Sequence, residues 1–184
     1  MLRNLALVLV VLAATPAIAQ DDGPGPNLVI EIDGAAKGTV IVDLLADVAP
    51  LHVAQITALA AEGEYDNVLF HRVIDGFMAQ TGDVQFAKSG GETAMAGMGG
   101  SALPDLPAEF SDIPFARGVV GMARSQDPNS ANSQFFIMFA PGDFLNGQYT
   151  VVGRVISGME VVDAIARGEP PSAPDRMSRV TVAP

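Results

Sequence analysis

Apolar and polar positions along this chain fall mostly into short extended stretches, and only two segments carry a helical repeat. Leu28–Ile32 and Thr39–Leu44 are apolar and β-branched, and Asp33-Gly34 through Gly38 separates them, so they predict a hairpin. Pro50 suits a helix start. Leu51, Ala54 and Ala58, with Val53, Ile56 and Ala60, recur at helical spacing until Gly63 ends the pattern. Further strands are expected near Val68–Ile74, Phe77–Thr81, Gly118–Arg124, Gln134–Phe139, Thr150–Val155 and Ser178–Ala183. Ser157-Gly158-Met159-Glu160 reads as a capping box opening a second helix to about Arg167, with Gly168 just past its end. Residues 82–117 are rich in Gly and Pro and lack a period, a length of loop that is uncommon without a function. Eight short strands and two isolated helices predict a mostly β fold, a closed barrel with the helices covering its ends.

Composition narrows the classes. A chain of 184 residues suits one domain, and 49% hydrophobic residues are ample for its core. A net charge of -11 argues against nucleic acid, whose phosphates would repel the protein. Arg3, the apolar run Leu5 to Ala14 and Ala17-Ile18-Ala19 form the three parts of a secretory signal over residues 1–19. The run is short for a membrane anchor. No stable membrane insertion is expected after cleavage, and the location expected is periplasmic or secreted. Residues 20–26, with Asp21-Asp22-Gly23-Pro24-Gly25-Pro26, read as a flexible linker, and 27–184 as the folded domain. With no cysteine there is no lipid anchor, disulfide or thiol chemistry, so the fold must stand on its core alone.

The densest chemistry lies in Phe70-His71-Arg72-Val73-Ile74-Asp75-Gly76-Phe77-Met78-Ala79-Gln80. Side chains along a strand alternate faces, so Phe70 and Arg72 are expected on one face, and Met78 and Gln80 on one face of the next strand. In Ser133–Phe139, Gln134, Phe136 and Met138 share a face. Together these outline an apolar pocket rimmed by hydrogen-bonding groups and a permanent cation. Each has a plainer reading alone: Arg72 as a surface ion pair, Phe77, Met78 and Phe136 as core. His52 and His71 make no metal site without converging carboxylates, so no metal and no cofactor is expected. Ser130 and Ser133 lack a nucleophile elbow and a His-Asp partner. Gly97-Met98-Gly99-Gly100 lacks the lysine of a phosphate loop. Asp21, Asp22, Asp43, Asp47, Glu62 and Glu64 read as a solvated acidic surface.

Four blocks in order, FHRVIDGFMAQTGD (70–83), GVVGMARSQDPNSANSQFFIMF (118–139), FLNGQYTVVGRV (144–155) and SGMEVVDAI (157–165), resemble the cyclophilin-type peptidyl-prolyl cis-trans isomerases, over about Leu28 to Val182. MARSQDPNSANSQFF resembles the bacterial branch, and with the leader implies an exported member. The resemblance implies a closed eight-stranded antiparallel barrel with a helix at each end and a groove on its outer face. It implies that Arg72, Gln80 and Phe136 are catalytic, with Arg72 donating to the prolyl nitrogen. Phe77, Met78, Phe136 and Leu145 would cradle the proline ring. Ala123 and Arg124 would offer backbone groups to the residues before proline, with Gln134 alongside. Phe144 stands where the eukaryotic pattern has tryptophan, which implies weak cyclosporin binding, and Tyr149 stands where that pattern has histidine. Arg124 replaces a frequent asparagine. The function implied is isomerisation of X-Pro bonds in folding exported proteins, by a monomer acting on proline-containing polypeptides. The alternatives are a prolyl-peptide holdase whose isomerase activity is incidental, and a structural barrel without a groove.

Overall fold

The computed structural model describes residues 23–184, so the expected leader, its cleavage site and Asp21-Asp22 lie outside the described residues. The expected hairpin forms from β1 (Asn27–Asp33) and β2 (Gly38–Leu44), and α1 (Pro50–Ala61) follows. Then come β3 (Val68–Leu69), β4 (Arg72–Ile74), β5 (Met78–Thr81), β6 (Val119–Met122) and β7 (Phe135–Met138). A 3₁₀ turn (Asp143–Leu145), β8 (Val151–Ser157), α2 (Met159–Asp163) and β9 (Arg176–Ala183) complete the chain.

The strands form one sheet of nine in the order β3-β9-β1-β2-β8-β6-β7-β5-β4, and every pairing is antiparallel. This corrects the closed eight-stranded barrel: no ladder joins β3 to β4, and the sheet is a curled half-barrel. The cause lies in the stretch expected as a single strand, Val68–Ile74. Phe70 and His71 leave the ladder, so Val68 and Leu69 pair with β9 while Arg72–Ile74 pair with β5. The two ends of the sheet are therefore only two residues apart in the chain. At ~3.3–3.6 Å per residue, that span forces the sheet to curl back on itself. Phe70 turns fully into the core, its N–H donating to Asp175 O at 2.9 Å, and does not share Arg72's face.

Inside the curl, Leu28, Ile30, Val40, Val42 and Leu44 alternate inward from the hairpin and meet Phe135 and Ile137 of β7. Helix α1 adds Val53, Ile56, Leu59 and Ala60, while Leu51 is exposed. Each such aliphatic side chain contributes ~1.5–3 kcal/mol by leaving water. The N-cap of α1, Ala49, offers no side-chain bond. Instead Glu109, from the long loop, accepts the N–H groups of Leu51 (3.2 Å) and His52 (3.1 Å) and the His52 ring at 2.6 Å. A carboxylate suits the positive end of a helix. Burial alone would raise the pKa of Glu109, but these hydrogen bonds hold it below the usual range.

Three local expectations change. The capping box does not form: Ser157 is the last residue of β8, paired with Ile41, and Gly158 (φ 89°) is the N-cap of a five-residue helix ending at Asp163. The end of the expected linker is tied to the hairpin, since Leu44 N–H donates to Pro26 O at 3.0 Å. Asp43 is not surface acid: it is fully buried and accepts from Arg154 Nε at 3.1 Å.

Candidate active site

The site begins with a row of cross-strand partners. Arg72 of β4 lies opposite Gln80 of β5, Gln80 opposite Phe136 of β7, and Phe136 opposite Gly121 of β6. Because side chains alternate, Phe136 and Met138 point outward while Phe135 and Ile137 enter the core. Gly121 makes room for this layer: a Cβ there would lie 2.5 Å from the Phe115 ring and 2.6 Å from that of Phe136. The two rings stack with centroids 5.7 Å apart.

This layer floors a groove of about 270 Å³. Met78, Phe136 and Leu145 are buried beneath it. Phe77 and Phe144 form one wall, their centroids 5.4 Å apart, with Phe144 largely exposed. Tyr149 meets Phe136 edge-on at 6.0 Å, and the Arg124 guanidinium lies 4.3 Å over the Tyr149 ring. Arg72, Gln80 and Ala123 supply the remaining polar rim. Ten of the eleven residues expected at the site thus line one cavity.

The eleventh, Gln134, lines a neighbouring cavity of about 570 Å³ that shares Gln80, Ala123 and Arg124. It acts behind the groove: its Oε1 accepts from Gln80 Nε2 at 2.9 Å, and its Nε2 donates to Gly97 O (3.0 Å) and Gly99 O (2.8 Å). One expected backbone contact is narrowed, and one side chain is committed elsewhere. The Ala123 N–H already donates to Gln134 O at 2.9 Å, leaving its carbonyl to offer. The Arg124 side chain folds back onto the carbonyls of Ser125 (2.8 Å) and Gln148 (2.9 Å).

Sequence reasoning missed three contributors. Phe115 sits in the aperiodic loop, where nothing marks it as groove floor. Asp83 ends the first matching block without an evident task, yet it is fully buried and anchors that loop. Its carboxylate accepts from Gln85 (3.1 Å), Phe86 (2.8 Å), Gly97 (2.7 Å) and Gly99 (3.0 Å) backbone N–H groups. Glu169 contacts Arg72 from a segment almost a hundred positions away. Among the described residues no cluster of three His, Asp or Glu side chains could hold a metal ion.

His71 lies beside Arg72 but is buried, and burial is the main cause of its lowered pKa, outweighing the upward pull of the Asp83 charge. The folded chain therefore takes up this proton less readily than the unfolded chain. The sign follows: the contribution is complete above about 6.5, the ordinary histidine value, and is lost as pH falls below it. The urea midpoint is expected to drop between pH 7.5 and 5.5, and to drop less in His71→Gln. An equal drop in both proteins would contradict this origin.

The comparisons with known proteins agree with this architecture. The family described as cyclophilin type peptidyl-prolyl cis-trans isomerase/CLD matches residues 28–182. A "probable peptidyl-prolyl cis-trans isomerase" of Brucella suis is 59% identical over 152 residues, covering 79% of this chain and 78% of that one. Peptidyl-prolyl cis-trans isomerase CYP18-1 of Arabidopsis thaliana is 37% identical over 150 residues, covering 79% and 90%. Among solved structures, cyclophilin AquaCyp293 from Hirschia baltica superposes with a TM-score of 0.74 at 28% identity, covering 88% of this chain and 75% of that one. A Cryptosporidium parvum cyclophilin determined in the presence of the dipeptide Ala-Pro gives 0.74 at 26% identity, covering 86% and 99%. Fold and groove place the chain in the class of cyclophilins. It belongs to the cyclophilin-type peptidyl-prolyl cis-trans isomerase family.

Proposed function

We propose that this chain isomerises X-Pro peptide bonds in partly folded polypeptides. The observation that carries the reading is the row Arg72–Gln80–Phe136 laid across three strands over an apolar groove. Rotation about a peptide bond faces ~18–20 kcal/mol because the C–N bond has partial double-bond character. Twisting the bond localises the nitrogen lone pair, and a donor that meets it only then lowers the barrier. Arg72 is suited to this because its charge is permanent and its donors are rigid. Phe136, Met78 and Leu145 hold the ring, Phe77 and Phe144 wall it, and Gln80 holds the carbonyl side. No bond is broken, and no titrating group is needed.

The leader signature over residues 1–19 supports exported clients. The relevant test is a protease-coupled assay on a proline tetrapeptide, in which catalysed decay of the cis fraction is expected. Saturable peptide binding without acceleration would favour the holdase. In the same assay cyclosporin is expected to inhibit weakly, because Phe144 has no indole N–H donor. Phe144→Trp is expected to tighten inhibition about tenfold, and equal inhibition of both proteins would remove Phe144 from the inhibitor contact.

A further inference from the structure

The segment that follows α2 returns to the outer edge of β4. Gly168 and Val73 exchange both backbone hydrogen bonds, each 2.8 Å, in an isolated antiparallel bridge. Only glycine fits at this point, since φ is 145° and a Cβ would lie 2.6 Å from Pro171 Cα. An antiparallel bridge between 73 and 168 sets the next positions opposite each other: 72 against 169, and 74 against 167. Oppositely charged partners at such positions attract.

The geometry that results is specific. Arg72 Nε donates to Glu169 Oε2 at 2.7 Å. On the other edge of the same guanidinium, Nη1 donates to Gln80 Oε1 at 3.3 Å. A guanidinium is planar and carries five N–H groups. Two contacts on different edges fix both its position and its plane, and Nη2 makes no hydrogen bond among the described residues. Gln80 is itself held by Gln134. Without Glu169 only the longer of the two contacts would orient a side chain that is half exposed and rich in rotamers.

We propose that Glu169 is a positioning residue for catalysis: it holds the Arg72 guanidinium at the angle from which Nη2 reaches the twisted prolyl amide. This rests on the assignment of Arg72 as the donor. Glu169 does not contact the proline, so it acts on turnover through Arg72 and not on ground-state affinity.

The test compares Glu169→Ala, Glu169→Gln and Asp75→Ala with the unaltered protein and with Arg72→Ala. Asp75, one residue beyond the position opposite Arg167, pairs with Arg167 at 3.2 Å without touching Arg72. It therefore controls for loosening of the segment. Glu169→Ala is expected to lower kcat about tenfold at nearly constant KM, since misplacing a catalytic group is costly. In ¹⁵N NMR the Arg72 Nε–H signal should lose its protection from exchange. Glu169→Gln keeps an acceptor and should restore most of kcat and part of that protection. Asp75→Ala should leave both unchanged, and all variants should melt within a few degrees of the parent, because an exposed pair adds only ~0–1 kcal/mol. Full activity in Glu169→Ala, an equal loss in Asp75→Ala, or no recovery in Glu169→Gln would each overturn the proposal. Full activity in Arg72→Ala would instead overturn the donor assignment beneath it.

Discussion

Arg72→Ala is expected to lower turnover by about two to three orders of magnitude while leaving circular dichroism and melting unchanged. Removing one preorganised donor from a transition state typically costs ~2.7–4 kcal/mol. The fold should not register the loss, because the Arg72 side chain is half exposed and its ion pair with Glu169 lies at the surface. Neither of its acceptors would be stranded, since Glu169 can turn to water and Gln80 Oε1, on the open groove, can accept from water while Nε2 still donates to Gln134. Arg72→Lys should recover little, because an ammonium's donors spread from one nitrogen and cannot reproduce the planar fork that meets Glu169 and Gln80 on two edges while facing the substrate. Turnover in Arg72→Ala within a fewfold of the parent, in a folded protein, would sink the assignment. The measurement is single-turnover decay of the cis peptide, with near-constant affinity checked separately.

The second large effect concerns stability. Asp83→Ala is expected to destabilise the protein by ~3–5 kcal/mol, since each buried donor left without its acceptor costs ~1–3 kcal/mol and several would be left at once. Four N–H groups converge on this carboxylate, and each would lose its acceptor in a site that Asp83 fills at zero exposure. Against a total of ~5–15 kcal/mol, that loss is severe. The damage should also reach the groove. Gly97 and Gly99, bound to Asp83 through their N–H groups, present their carbonyls to Gln134, which holds Gln80, which touches Arg72. Denaturant unfolding gives the energy, and turnover of the residual folded fraction gives the coupling. A change in midpoint worth under 1 kcal/mol would show that the loop is held elsewhere.

Much of this architecture is written locally in the chain. The hairpin and α1 follow from apolar spacing, and alternation puts Gln134, Phe136 and Met138 on one face, but the stretch is apolar on both faces, so only the resemblance said which of them faces out. The parity argument failed at Phe70 and Arg72, because it assumes an unbroken strand and the chain leaves the ladder between them. The capping box failed because Ser157 is claimed by pairing with Ile41, a partner 116 positions away by the difference of the two numbers. Asp83 and Glu169 were illegible for the same physical reason. Glu169 meets Arg72 only through a bridge from a distant segment, and although Asp83 accepts locally from Gln85 and Phe86, its hold on Gly97 and Gly99 is set by how the loop returns.

The pairing of β1 bears on how the protein is made. β1 lies between β2, which follows it at once, and β9, the last strand: Asn27 is opposite Ala183, and its amide donates to Pro184 O at 3.3 Å. Before β9 is in place, β1 has one edge open and the interior of the curl is uncovered on that side. The sheet cannot be completed until β9 has been made, since the β1–β9 pairing waits on a long loop closure. The adjacency of its ends also makes the finished domain a candidate for rejoining, with a short peptide linking Pro184 to Asn27 and new termini opened in an exposed turn.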